Sequence, residues 1–180
     1  KYKKAVELDP DHFSIWNQIM LIESELEKHE EMLADSKKAV ELYPTQPSFY
    51  FFNGLANLQA ENYDDCIEIL TIGKEYVINN DPLLSEFYQT LGQAYHEKKE
   101  HEKSDESFDK SLIYDTDNAY VLNNYAYFLS LRKVKLDKAA SMSKRSIDLM
   151  PGTASFMDTY GWILFQQENY PEAEIWISKS

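Results

Sequence analysis

Few side chains in this sequence are spaced for chemistry, and the best placed are His96 and Glu100. They stand four apart within His96-Glu97-Lys98-Lys99-Glu100-His101-Glu102, a spacing that can put two metal ligands on one helix face. The run is dense in charge and falls where one helical pattern gives way to the next, so it reads as a solvated turn. Asp115-Thr116-Asp117-Asn118 opens like a calcium loop. It lacks the central glycine and the distant bidentate glutamate, and reads as a turn ending in a helix N-cap. Cys66 is the single cysteine, which excludes an intrachain disulfide and a cysteine-based zinc site. Its expected role is that of an inert thiol packed between helices. No serine lies in a nucleophile elbow, and no glycine-rich segment could cradle a phosphate. The expectation is therefore no cofactor, no metal and no catalysis within these residues.

Composition narrows the partners. The 180 residues are 43% hydrophobic with 13 Tyr, 9 Phe and 3 Trp, too apolar and aromatic for a disordered tail. Five Gly and six Pro are too few for the turns of a many-stranded β fold. Eighteen Lys and Arg stand against 31 Asp and Glu, a net charge of −13. Such a surface repels phosphate backbones and anionic lipid headgroups, so neither nucleic acid nor a membrane surface is an expected partner. Protein surfaces of neutral or basic character remain. No apolar run approaches the ~20 residues that span a bilayer. The sequence starts at Lys1 without an initiating Met or a signal-peptide core, and reads as cut from a longer chain. Cytoplasmic and periplasmic locations are both open.

The elements that must position any site repeat along the chain. Ala5-Val6-Glu7-Leu8-Asp9-Pro10 returns 34 residues later as Ala39-Val40-Glu41-Leu42-Tyr43-Pro44, and more loosely as Ser146-Ile147-Asp148-Leu149-Met150-Pro151. Each reads as the end of a helix stopped by proline. Small residues recur inside apolar helices at Gly54, Gly92, Ala126 and Gly161. Partner small residues follow twelve or thirteen positions later, at Cys66, Ser104, Ala139 and Ala173. A glycine costs about 1 kcal/mol in a helix interior, so its recurrence indicates that a neighbouring helix crosses closely there. First helices are predicted near 12–26, 47–60, 83–97, 119–131 and 154–167. Second helices are predicted near 29–42, 63–77, 101–114, 136–149 and 170–180. Asp81 is read as an N-cap before Pro82, and Pro171 as a first-turn proline.

These landmarks resemble the tetratricopeptide-repeat (TPR) family, a 34-residue helix–turn–helix unit. Thr159-Tyr160-Gly161-Trp162 through Asn169-Tyr170-Pro171-Glu172-Ala173 and Thr90-Leu91-Gly92-Gln93-Ala94-Tyr95 carry the likeness best, with Trp16, Tyr50, Tyr88 and Met157 at the leading large position. The resemblance implies an all-α fold, a right-handed superhelical solenoid of antiparallel helix pairs. It would be a single domain over 1–180, with repeats near 13–46, 47–84, 85–118 and 119–153 and partial ones at 1–12 and 154–180. The sequence departs from the pattern at Met20 and Glu23, where a small residue and Tyr are expected, so the helices of that hairpin are expected to sit further apart. Extra residues fall near Val77–Asp81 and near Lys133. Uncapped terminal helices should leave apolar surface at 1–8 and 170–177, open to end-to-end self-association.

In this family the first helices line a concave groove. Carried over by position, the groove residues include Asn17, Gln89, Gln93, Tyr120, Asn123, Tyr127, Asp158 and Trp162. None of the twenty groove positions is Lys or Arg. That excludes the carboxylate clamp with which some TPR domains hold chaperone C-termini, since a terminal carboxylate needs cationic donors. Amides and aromatics remain, suited to a peptide or protein segment of neutral to basic character. For Trp162 and Phe165 the competing expectation is packing against a following repeat. The function implied is a protein–protein interaction scaffold, and the Tyr/Asn/Lys-rich composition suggests a bacterial TPR adaptor or assembly factor. The alternative is a regulatory or substrate-docking arm of a larger enzyme.

Overall fold

Apolar residues at helical spacing, interrupted by prolines and by short charged turns, fold here as predicted into successive helix hairpins. The computed structural model describes residues 2–9 and 11–180. The described residues form eleven α-helices and no strand: α1 (Tyr2–Leu8), α2 (Phe13–Glu25), α3 (His29–Leu42), α4 (Pro47–Gln59), α5 (Tyr63–Gly73), α6 (Asp81–Glu97), α7 (His101–Tyr114), α8 (Ala119–Leu131), α9 (Leu136–Leu149), α10 (Ala154–Gln166) and α11 (Tyr170–Ile177). A 3₁₀ turn over Lys74–Tyr76 follows α5 and takes up part of the extra sequence before α6. The architecture is an all-α helix-pair solenoid. It divides between Ser107 and Phe108 into two units.

Each hairpin turn is closed in the same way. Glu27, Glu61, Lys99, Lys133 and Glu168 have positive φ, between 54° and 64°. Each is followed by a residue whose N–H reaches five back to the preceding helix, as in Asn62 N to Asn57 O at 2.9 Å and Glu100 N to Tyr95 O at 2.9 Å. This pattern satisfies the last carbonyls of the helix, with a charged residue standing where glycine is usual. At the start of α6 the cap is Asn80, whose Oδ1 accepts from Leu83 N at 3.2 Å. That corrects the expectation at Asp81, which is the first helical residue instead. Asn118 caps α8 as expected, accepting from Val121 N at 3.1 Å.

The small-residue pairs mark close helix crossings. A Cβ on Gly54 would lie 2.3 Å from Leu70 Cδ2, and one on Gly161 would lie 2.7 Å from Ile177 Cγ1. Ser104 Oγ donates to the Gly92 carbonyl at 2.8 Å. Cys66 is fully buried in the cluster of Tyr50, Leu70, Phe87 and Leu91. Burial pushes its thiol up to about 12. Its reaction with a disulfide reagent at pH 8 should be slower by roughly 100-fold or more in the native protein than in denaturant, since thiolate forms only on local opening. A native rate close to the denatured one would show that α5 is not packed as described.

The core of the first unit joins Trp16, Ile19, Met20, Met32 and Phe49, and that of the second joins Phe108, Val121, Tyr125, Leu129 and Ile163. Glu23, at the position where the resemblance expects Tyr, is only 2% exposed. Lys3 reaches it from α1 at 2.6 Å and reaches Asp35 of α3 at 2.8 Å. Burial raises the Glu23 carboxyl above its ordinary range, with Lys3 offsetting only part of the effect. Burial works against ionised Asp35 too, but Lys3 and Lys38 outweigh it and hold that carboxyl low. The departure at Glu23 is thus a charged tie from the first helix into the following hairpin. Apolar surface at the ends is exposed as predicted, at Tyr2 and Leu8 and at Tyr170, Ile175 and Ile177.

Candidate functional site

In the second unit, α8 and α10 bring part of the predicted set together. Asn123 and Tyr127 lie one turn apart on α8, and Asp158 and Trp162 one turn apart on α10. Tyr127, Asp158 and Trp162 line one shallow pocket of about 300 Å³ with Ser155, Thr159 and Ile177. Tyr127 and Trp162 are 40% and 38% exposed, so both rings offer open apolar area. Trp162 is held from behind by a parallel stack on Phe165, with centroids 5.7 Å apart, and Phe165 meets Tyr170 at 5.4 Å. Such support fixes the indole at little entropic cost to a ligand. Asp158 is the one charged group among the described residues that line the pocket, and it accepts a hydrogen bond from Ser180 Oγ at 3.2 Å.

Asn123 is buried, and its Oδ1 has no hydrogen-bond partner among the described residues. An unmatched buried acceptor costs about 1–3 kcal/mol unless something supplies a donor. Tyr120 packs edge-on against Phe156 at 5.5 Å and remains 56% exposed. Its ring therefore serves the α8–α10 packing on one side and solvent on the other.

The remaining predicted residues belong to the first unit. Asn17 is on α2, while Gln89 and Gln93 lie one turn apart on α6, all three half-buried. Thr159 and Ile177 line the pocket without having been expected. Ile177 comes from α11, a second helix, and no pattern confined to first helices could have found it. The sequence clusters weighed for chemistry are otherwise engaged. The His96 and His101 rings lie 5.7 Å apart across the α6–α7 turn, and Glu100 pairs with Lys98 and Lys103. Among the described residues no three His, Cys, Asp or Glu side chains converge as metal ligands.

A profile of the tetratricopeptide repeat matches residues 85–118, from the first turns of α6 through the cap of α8. Residues 85–118 are a tetratricopeptide repeat, and the helix pairs around them have the TPR solenoid fold. The chain also aligns with the human mitochondrial import receptor subunit TOM70, 23% identical over 178 residues, covering 96% of this chain and 29% of that protein. The rat protein of the same name is 24% identical over the same length. The chain thus spans under a third of the curated relatives it matches. Among solved structures, it resembles YrrB, described as a TPR protein with an unusual peptide-binding site. The TM-score is 0.68 at 17% identity, covering 99% of this chain and 89% of that one. It also resembles MamA from Desulfovibrio magneticus, with a TM-score of 0.70 at 14% identity over 92% of this chain and 91% of that one. These likenesses establish the TPR fold.

Proposed function

We propose that this TPR protein is an interaction scaffold, an adaptor or assembly factor that holds a neutral-to-basic peptide segment on the α8–α10 face. The observation that carries the reading is the convergence of Tyr127, Asp158 and Trp162 on one pocket. Two open rings supply anchors of the kind that dominate peptide interfaces, and a single carboxylate without a cationic neighbour in the pocket selects a positive or neutral ligand. Asn123, one turn from Tyr127, adds an acceptor that lacks a donor among the described residues. The TOM70 relatives are named as receptor subunits and YrrB as the bearer of a peptide-binding site, both consistent with holding another chain.

Peptide-display selection on the purified protein, followed by titration calorimetry of an enriched peptide, tests this. The variant with Tyr127→Ala and Trp162→Ala is expected to bind at least ~30-fold more weakly, the scale of losing hot-spot anchors. Asp158→Asn should weaken lysine- or arginine-bearing peptides selectively. Unchanged affinity in the double variant, with its helical content intact, would overturn the assignment.

A further inference from the structure

A second groove lies in the first unit, walled by second helices that the concave-face reading leaves out. Helices α3 and α5 both pack on α4, and the channel between them holds a cavity of about 710 Å³. Its walls are aliphatic: Leu33 and Val40 from α3, seven apart, and Ile69 and Ile72 from α5, three apart. Those spacings place each pair along one stripe of its helix, facing into the channel. Ile72 is 43% exposed, and the other three are half-buried, so the stripes are incompletely covered.

The floor is polar. Asn53 and Asn57 of α4 line the channel and are 6% and 5% exposed. Asn53 Nδ2 donates to Ser36 Oγ at 2.9 Å, and Asn57 Nδ2 donates to the Asn53 carbonyl and to Asn53 Oδ1, both at 3.0 Å. Both amides are thereby fixed in orientation. Among the described residues no donor reaches Asn57 Oδ1, which is left as an acceptor in the channel.

The rim is acidic. Glu30, Glu41, Asp65 and Glu68 stand on it, all exposed and without an ion-pair partner among the described residues, against the single cation Lys37. Four carboxylates around an aliphatic trough favour an occupant that is apolar on one side and cationic at its edges. One acceptor on the floor is too few to pair an extended backbone, whereas two aliphatic ridges suit a helix laid between them. At 1.5 Å rise per residue the 11 residues of α5, the shorter wall, set a trough of about 16 Å, enough for three turns of a docked helix.

We propose that the α3–α5 channel is a docking groove for a cationic amphipathic helix of another protein, separate from the α8–α10 pocket. Leucine-like side chains at i, i+3, i+4 and i+7 fill the channel between Leu33, Val40, Ile69 and Ile72. Flanking lysines or arginines meet the rim carboxylates.

The test uses a fluorescein-labelled 14-residue Lys/Leu peptide with leucines on one helical stripe, titrated by anisotropy. Glu41→Lys with Glu68→Lys reverses half the rim at exposed positions away from the first turns of their helices. This variant is expected to bind at least 10-fold more weakly. Glu168→Lys with Glu174→Lys changes the net charge equally in the second unit and should leave affinity within twofold. A peptide of the same composition with its leucines scattered around the helix should lose binding. Equal weakening by the two pairs of reversals, or equal binding of the scattered peptide, would overturn the proposal by showing general charge attraction only. The variant with Tyr127→Ala and Trp162→Ala should keep this binding intact. Loss of binding there would place the peptide on the α8–α10 face and equally overturn the groove.

Discussion

Phe49→Ala is expected to lower the free energy of unfolding by about 3–5 kcal/mol, as for other large aromatic deletions in packed cores. Phe49 is fully buried, and its ring is the one at which Phe13 and Tyr43 meet, at centroid distances of 5.2 Å and 5.6 Å. Phe13 opens α2, Tyr43 ends α3 and Phe49 lies in the first turn of α4, so one side chain fastens three successive helices. Alanine leaves a cavity that these rings cannot fill without moving the helix ends that carry them. Urea unfolding of the two proteins measures the difference, and hydrogen exchange should show faster opening of α2, α3 and α4. Because each hairpin is supported chiefly by its neighbours, the loss should be local before it is global. A change below about 1 kcal/mol would mean that the Phe13–Tyr43–Phe49 cluster does not hold the hairpins together.

Gly73→Ala should also destabilise, although helix propensity alone favours alanine by about 1 kcal/mol. A Cβ at Gly73 would stand 2.2 Å from Tyr50 Cβ, 2.8 Å from Tyr50 Cγ and 3.0 Å from Phe87 Cε1. No rotamer change relieves the first contact, because the Tyr50 Cβ is fixed to the backbone of α4. The end of α5 must therefore move away from α4, breaking the packing of Tyr50, which donates its hydroxyl to the Pro44 carbonyl at 2.8 Å. Overpacking of this kind costs about 1–3 kcal/mol and sometimes more, and a net loss of about 2 kcal/mol is expected after the propensity gain. Thermal unfolding decides it: a melting temperature equal to or above the parent would show that α4 and α5 have room to separate.

The two glycine contacts with α5 show how far sequence reasoning reaches. Gly54 belongs to a series that returns at Gly92 and Gly161, and recurrence exposes its role as a crossing point. Gly73 stands 34 residues after Ala39, at a position where the repeat carries a small residue, so the sequence marks it as small, but only the packing shows that even a Cβ meets Tyr50 there. Helix ends were legible for the same reason as Gly54. Pro44 and Pro47 bracket a stop and a start, and α4 begins at Pro47 as expected. The left-handed residues at Glu27, Glu61, Lys99, Lys133 and Glu168 were not legible, because a charged residue carries no mark of the conformation it adopts. Asn80 rather than Asp81 caps α6 because either side chain can accept the same bond, and the backbone path out of the 3₁₀ turn decides between them. The Lys3–Glu23–Asp35 cluster joins residues 20 and 32 apart along the chain, too variable a separation for any local pattern.

The sequence by itself determined that the chain is built of helix pairs, where each pair turns, how acidic its surface is, and that the first-helix positions carry no cation. All of these follow from local spacing: a period of 3.6 residues assigns faces, and proline and small residues set ends and crossings. Only the tertiary structure decided which faces converge. Tyr127, Asp158 and Trp162 meet in a pocket completed by Ile177, Asn17 stands on a different helix from Gln89 and Gln93, and the channel between α3 and α5 stays open to its buried asparagines. Convergence depends on how side chains of one helix seat between those of the next, and that fit is a property of the packed helices together, written in no single segment.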